Sequence, residues 1–151
     1  MPVGETMAVT YPIIVGEGKI TIRSPPPRVF EAILNPVDLA AWWSADAIVE
    51  AQEGGRYLTN PPEGRQEGFI IGLEAPRRIT FTWPIAVDDA VVETTVTYEL
   101  VPKGPATVVH VFHRSRVLLA RDRRVNWTRA LEALQAHLEA GADADQMESG
   151  Q

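Results

Sequence analysis

The sequence predicts an α+β domain: a curved antiparallel sheet of about six to seven strands wrapped around one long C-terminal helix, with two short helices after the first strand. Three observations carry this. From residue 47 to residue 115 apolar residues recur with the period of two that marks half-buried strands. Turn signals such as Glu53-Gly54-Gly55 and "VPKGPA" cut that stretch into short runs. Near the end, "RDRRVNWTRALEALQAHLEAG" returns to helical periodicity, with Trp127, Leu131, Leu134 and Leu138 on one stripe. With no repeat and no linker-like shift in composition, residues 1–151 read as one domain, its core at about 18–140 between a flexible N-terminal extension and a C-terminal tail.

Taken in order, "KITIRS" alternates Ile20 and Ile22 with Thr21 and Arg23, a strand. The preceding "AVTYPIIVG" either extends that strand or covers what lies behind it. Ser24 ahead of three prolines reads as an N-cap with Pro in the first turn, since the missing N–H of Pro costs nothing there. Val29, Phe30, Ile33 and Leu34 follow at helical spacing. Asn35-Pro36 ends that helix, and "VDLAAWW" makes a second, short one. The strands then run through "AIVEA", "GGRYLT", "RQEGFIIGLE" after the turn "PPEG", and "RRITFTW" after Ala75-Pro76. "RRITFTW" sets Ile79, Phe81 and Trp83 against Thr80 and Thr82. "PIAVDDAVVE" is expected to form a hairpin loop with Asp88 and Asp89 as a solvated turn. "ETTVTYEL" puts Val96, Tyr98 and Leu100 on one face, and "TVVHVFHR" does the same for Val109, Val111 and His113. Gly141 is the expected helix stop, ahead of a frayed "GADADQMESGQ". Sheet and helix each have one apolar face and must cover one another, leaving a cavity wherever the sheet curls without pressing on the helix.

Composition narrows the function. A net charge of −6 argues against a nucleic-acid partner, which needs clustered, uncompensated Lys and Arg. Without cysteine there is no thiolate nucleophile, disulfide framework or Cys-based zinc site. No run approaches the ~20 apolar residues of a membrane span, so no membrane insertion and a cytoplasmic location are expected. His110 and His113, three apart on a strand, point to opposite faces and cannot chelate together; His137 on the terminal helix is left to approach His113. No metal site, covalent cofactor or catalytic residue is assigned.

The stretches "ITIRSPPPRVFEAILNPVDLAAWW", "GGRY", "GF" followed by "APRRITFTW", "TTVTYEL", "VVHVFH" and the Trp-containing terminal helix together resemble the START-like helix-grip superfamily (Bet v 1-like, also called SRPBCC). Within it the chain looks like the branch related to the C-terminal domain of the Hsp90 ATPase activator. The resemblance implies a sheet gripping the long helix around an elongated, mostly apolar cavity, with relatives that bind lipids, polyketides, hormones or aromatic molecules and a minority that catalyse cyclisation or ring chemistry. It carries no catalytic residues over.

Trp42 and Trp43 are adjacent, so their rings cannot share a helix face. One indole is expected to anchor the second short helix while the other lines the cavity mouth, and Trp43 is favoured for the mouth. Tyr57, Phe81, Trp83, Tyr98, His113 and Trp127 are the other candidates for a ligand-binding wall, Tyr98 and His113 each bringing a polar handle. The leading expectation is a hydrophobic or aromatic small molecule held in this cavity. The alternatives are a cyclase, dehydratase or hydrolase using His113 or Tyr98 as acid or base, and a chaperone-associated module. For the last, Arg114, Arg116, Arg121, Arg123, Arg124 and Arg129 supply a basic patch. Exposed sheet edges leave a homodimer open.

Overall fold

The alternating runs fold into a seven-stranded antiparallel sheet in the computed structural model of the chain, which describes residues 13–61, 64–121 and 124–149. In chain order come β1 (Ile13–Ile22), α1 (Pro26–Leu34), α2 (Pro36–Trp42), β2 (Ile48–Val49), β3 (Arg56–Thr59), β4 (Gln66–Glu74), β5 (Arg78–Val87), β6 (Ala90–Lys103), β7 (Ala106–Ser115) and α3 (Trp127–Ser149). Across the sheet the order is β1-β7-β6-β5-β4-β3-β2. Only β1 crosses over, and the two short helices make that crossing. The result is the α+β arrangement that the periodicities imply, and the helix-grip fold that the resemblance implies.

Strand period two decides what the sheet buries. Ile79, Phe81, Trp83 and Ile85 of β5, Val96, Tyr98 and Leu100 of β6, and Val109, Val111 and His113 of β7 all face inward. Opposite them lies the α3 stripe of Trp127, Leu131, Leu134 and Leu138, each buried. Each large apolar side chain so enclosed contributes roughly 1.5–3 kcal/mol. Gly16 in β1 makes the closest approach possible: a Cβ there would stand 2.8 Å from Cδ1 of Trp127. The register of β1 against β7 shifts at this residue, between Ile14 and Gly16.

Four local expectations are settled or corrected. "IIVG" extends β1, pairing Ile13 with Ser115, while residues 1–12 lie outside the described residues. The N-cap of α1 is Pro25 and not Ser24, whose carbonyl instead accepts from the Thr107 hydroxyl at 2.7 Å. "PIAVDDAVVE" is no long loop: β5 and β6 stay paired to Val87 and Ala90, leaving a tight turn at Asp88-Asp89, with Asp88 at φ 53. Asp tolerates that left-handed conformation better than most residues. Finally, α3 does not stop at Gly141 but runs on to Ser149. One glycine weakens a helix by only about 1 kcal/mol, and the Ala, Asp, Gln and Glu that follow contain no proline to break it.

Candidate functional site

The tryptophan pair divides as the helix period requires. Trp42 is buried, and its Nε1–H donates to the Ala32 carbonyl of α1 at 2.9 Å, so this ring locks α2 onto α1. Trp43, the C-cap residue of α2, is only partly buried and turns toward the sheet. Its ring stacks on Trp127 with centroids 6.0 Å apart and planes 8° from parallel, and lies 6.1 Å from Trp83. Below α2, the Asp38 carboxylate receives both arms of Arg28 at 2.7 and 3.0 Å and the His137 ring of α3 at 2.8 Å. The Arg28 hydrogen bonds hold its carboxyl below the usual carboxylate range. This three-way tie fixes the short helices to α3, and with them the position of Trp43. Periodicity gives no hint of it, because Arg28 and Asp38 lie on different helices.

Around Trp127 the expected wall residues do come together. Trp83 meets Trp127 edge-on at 5.5 Å, Tyr98 does so at 6.2 Å and His113 at 5.7 Å, while Phe81 links Tyr57 to Tyr98. Much of this wall is packed on itself. His113 is wholly buried: Trp127 Nε1–H donates to its Nδ1 at 3.3 Å, which leaves Nε2–H to donate to Thr94 Oγ1 at 2.8 Å, and that hydroxyl donates in turn to the Trp83 carbonyl. Both ring nitrogens are occupied, and burial pulls the imidazole down to a pKa of about 4, so it stays neutral at pH 7. Tyr57 spends its hydroxyl on the Ile33 carbonyl at 2.6 Å. Burial also drives the phenols of Tyr57 and Tyr98 well above their ordinary value.

Beside this cluster, where the aromatics end, a cleft of about 440 Å³ opens between the start of β4, the end of β5 and the approach to α3. Trp83, Ile85 and Val125 give it an apolar floor, and Arg65, Gln66, Glu67 and Arg124 a polar rim. Of the seven expected wall residues Trp83 lines it directly, and Trp43 stands one ring behind. Two further residues belong to this region. Gln66 lines the cleft and pairs across the strands with Thr59, itself 2% exposed. Their Oε1 and Oγ1 are the buried side-chain atoms without a hydrogen-bond partner among the described residues. Both were legible in principle, because period two puts Thr59 on the face of Tyr57 and Gln66 on the face of Gly68 and Ile70.

The remaining candidates sit apart. His110 pairs with Glu17 on the outer face and His137 with Asp38, so His137 does not approach His113. Among the described residues no group of three metal-ligating side chains converges, and no helix is long and apolar enough to cross a membrane. Asp88 and Asp89 are exposed at their turn. In the arginine run, Arg114 lies over the Phe112 ring at 4.7 Å and Arg124 Nε–H donates to the Leu119 carbonyl; Arg123 lies outside the described residues.

With this geometry in hand, comparison with known proteins is informative. Residues 23–139 match the family described as activator of Hsp90 ATPase homolog 1-like protein. No curated protein matches. Among solved structures, the Aha1 dimer from Colwellia psychrerythraea is similar with a TM-score of 0.71 and 18% identity, over 83% of this chain and 96% of that one. DynU16, a protein of the dynemicin biosynthetic locus, aligns with a TM-score of 0.70 and 18% identity over 83% of this chain, which spans 47% of DynU16. CalU16 from Micromonospora echinospora aligns with a TM-score of 0.65 and 21% identity, over 87% of this chain and 80% of its own. At these identities the likeness concerns the fold.

Proposed function

The chain belongs to the activator of Hsp90 ATPase homolog 1-like family, and from that premise we propose that it binds an apolar or aromatic small molecule at the cleft beside Trp83, with Trp43 one ring behind it. The observation that carries this reading is the cleft itself: about 440 Å³ with an apolar floor and a few polar groups at the rim, within the range of small-molecule sites. Burial of a flat apolar ligand at roughly 25 cal/mol per Å² supplies its affinity. Tyr57, Phe81, Tyr98 and His113 support Trp83 and Trp43 from behind. Proton transfer by His113 is not favoured, because both its nitrogens are engaged inside the protein. The proposed location is cytoplasmic.

The test is a titration with naphthalene followed by the four indole N–H resonances. Trp83 and Trp43 signals are expected to shift together and saturably, and Trp83→Leu to weaken binding by about tenfold while the fold, checked by circular dichroism, persists. A Trp83→Leu protein with unchanged affinity would remove the cleft from consideration.

The family match itself favours a second reading, contact with an Hsp90-type chaperone through the basic segment that holds Arg121 and Arg124. It predicts a complex that weakens with salt and with charge reversal at these two positions. A homodimer is proposed on the precedent of the Colwellia structure, described as a dimer. Sedimentation analysis at two protein concentrations decides it.

A further inference from the structure

The chain carries a net charge of −6, yet among the described residues the ionisable side chains lining the cleft beside Trp83 are two arginines, Arg65 and Arg124, against one carboxylate, Glu67. The lining is therefore one positive charge in surplus on an acidic protein. Glu67 is already ion-paired with Arg65 at 2.7 Å, so the surplus falls on Arg124. That guanidinium is held in place, because its Nε–H donates to the carbonyl of buried Leu119 at 2.9 Å. The bond occupies Nε, one of the five N–H donors of an arginine; the Nη end is the planar pair that grips a carboxylate with two parallel bonds. Val125, the next residue, joins Trp83 and Ile85 in the apolar floor, which puts Arg124 where floor meets rim. A charge pair gains strength beside apolar surface that keeps water away.

We propose that Arg124 is the anion-recognising residue of this cleft and that the ligand is an aromatic carboxylate, its ring on the Trp83 floor and its carboxylate on Arg124. The inference rests on the cleft reading and deepens it by naming the ligand's charged group. A single surplus charge matches a monoanion. A dianionic phosphate exceeds that surplus and stands against Glu67, a cation faces two arginines, and a neutral ring gains from the floor alone. Arg65 attracts the same carboxylate more weakly, since Glu67 offsets its charge. Because the Leu119 carbonyl already restrains the Arg124 guanidinium, less side-chain freedom is lost on binding than at an untethered arginine.

The experiment titrates the intact chain at neutral pH with 2-naphthoate and with 2-naphthamide, its neutral counterpart of nearly the same shape. The same indole N–H resonances follow binding, and the ratio of the two affinities is read within each protein. Desolvation alone favours the amide, because an ionised carboxylate is costlier to take out of water. The proposal expects the wild type to prefer 2-naphthoate by about fivefold, a modest figure because the rim is solvated, and Arg124→Gln to abolish that preference. Glu67→Gln should raise the preference by about threefold, since it removes the competing carboxylate and releases Arg65. Arg78→Gln, which deletes a charge paired with Glu74 and Glu99 outside the cleft, should leave it unchanged. A wild type without the preference overturns the proposal, as does a preference that survives Arg124→Gln or falls equally in Arg78→Gln. If Arg124→Gln does not fold, Glu67→Gln decides alone, and no gain in preference overturns the proposal. If naphthalene moves the Trp83 and Trp43 signals and 2-naphthoate is not preferred, the cleft reading stands while the role of Arg124 falls; if no probe moves them, both fall.

Discussion

The inner face of the sheet treats its polar atoms in two ways. Around Trp127, the indole N–H, both His113 nitrogens, the Thr94 hydroxyl and the Trp83 carbonyl form one closed chain, with no surplus donor or acceptor exposed to a ligand. At the β3–β4 end, the Thr59 hydroxyl and the Gln66 amide oxygen are buried without a hydrogen-bond partner among the described residues. Both regions border Trp83. The difference teaches that aromatic density marks the part of a gripped helix that is finished as core, while incomplete hydrogen bonding marks the part that is not. A stability measurement should therefore separate the two regions.

The largest effect belongs to the closed region. Trp127→Ala removes the ring on which Trp43, Trp83, Tyr98 and His113 converge and strips His113 Nδ1 of its donor. Denaturant unfolding should show a loss of about 4 kcal/mol. A loss below about 2 kcal/mol would mean that this region is looser than its contacts imply, and would erase the contrast.

His113 provides the next largest. Its pKa is about 4 in the fold against 6.5 when exposed, so between those values the unfolded chain binds a proton that the native one refuses. Stability therefore rises with pH across the window, at up to about 1.4 kcal/mol per unit, and is complete above pH 6.5. On acidification to pH 4 about 3 kcal/mol should be lost, and His113→Gln should flatten that slope. Asp38 acts in a separate window. Its depressed carboxyl stabilises the fold above the ordinary carboxylate range, and that contribution disappears only at more acid pH. An unchanged slope in His113→Gln would mean that the buried imidazole takes up its proton in place.

The closed region was the more legible of the two. Period two put Phe81, Trp83, Tyr98 and His113 on one face, and the helical stripe put Trp127 opposite them. Neither periodicity reports whether facing groups touch, which is why the wall looked like a cavity lining when much of it is packed. The tie from Arg28 through Asp38 to His137 joins residues up to 99 positions apart, a pairing that exists only once α3 has docked. Gly141 fails as a stop for the opposite reason: a local signal gives way to the helix-forming residues after it. Thr59 and Gln66 carried a usable signal, a polar residue at an inward position on each of two paired strands.

The smallest effect tests the boundary between the regions. Trp42 and Trp43 are neighbours in sequence, yet one is held in the helix pair by its N–H and the other stacks across the cluster beside the cleft with part of its surface in water. Trp42→Ala deletes both a buried ring and a satisfied hydrogen bond, and belongs with Trp127→Ala in magnitude. Trp43→Ala removes a partly hydrated ring that stacks on Trp127, a pair worth about 1 kcal/mol, and is tilted against Trp42 and Trp83. Its effect on naphthalene affinity should be several-fold, larger relative to its effect on stability than for any residue of the closed region. If Trp43→Ala costs as much stability as Trp42→Ala and leaves naphthalene binding untouched, Trp43 is core, and the boundary must be redrawn to leave Trp83 as the sole aromatic of the binding region.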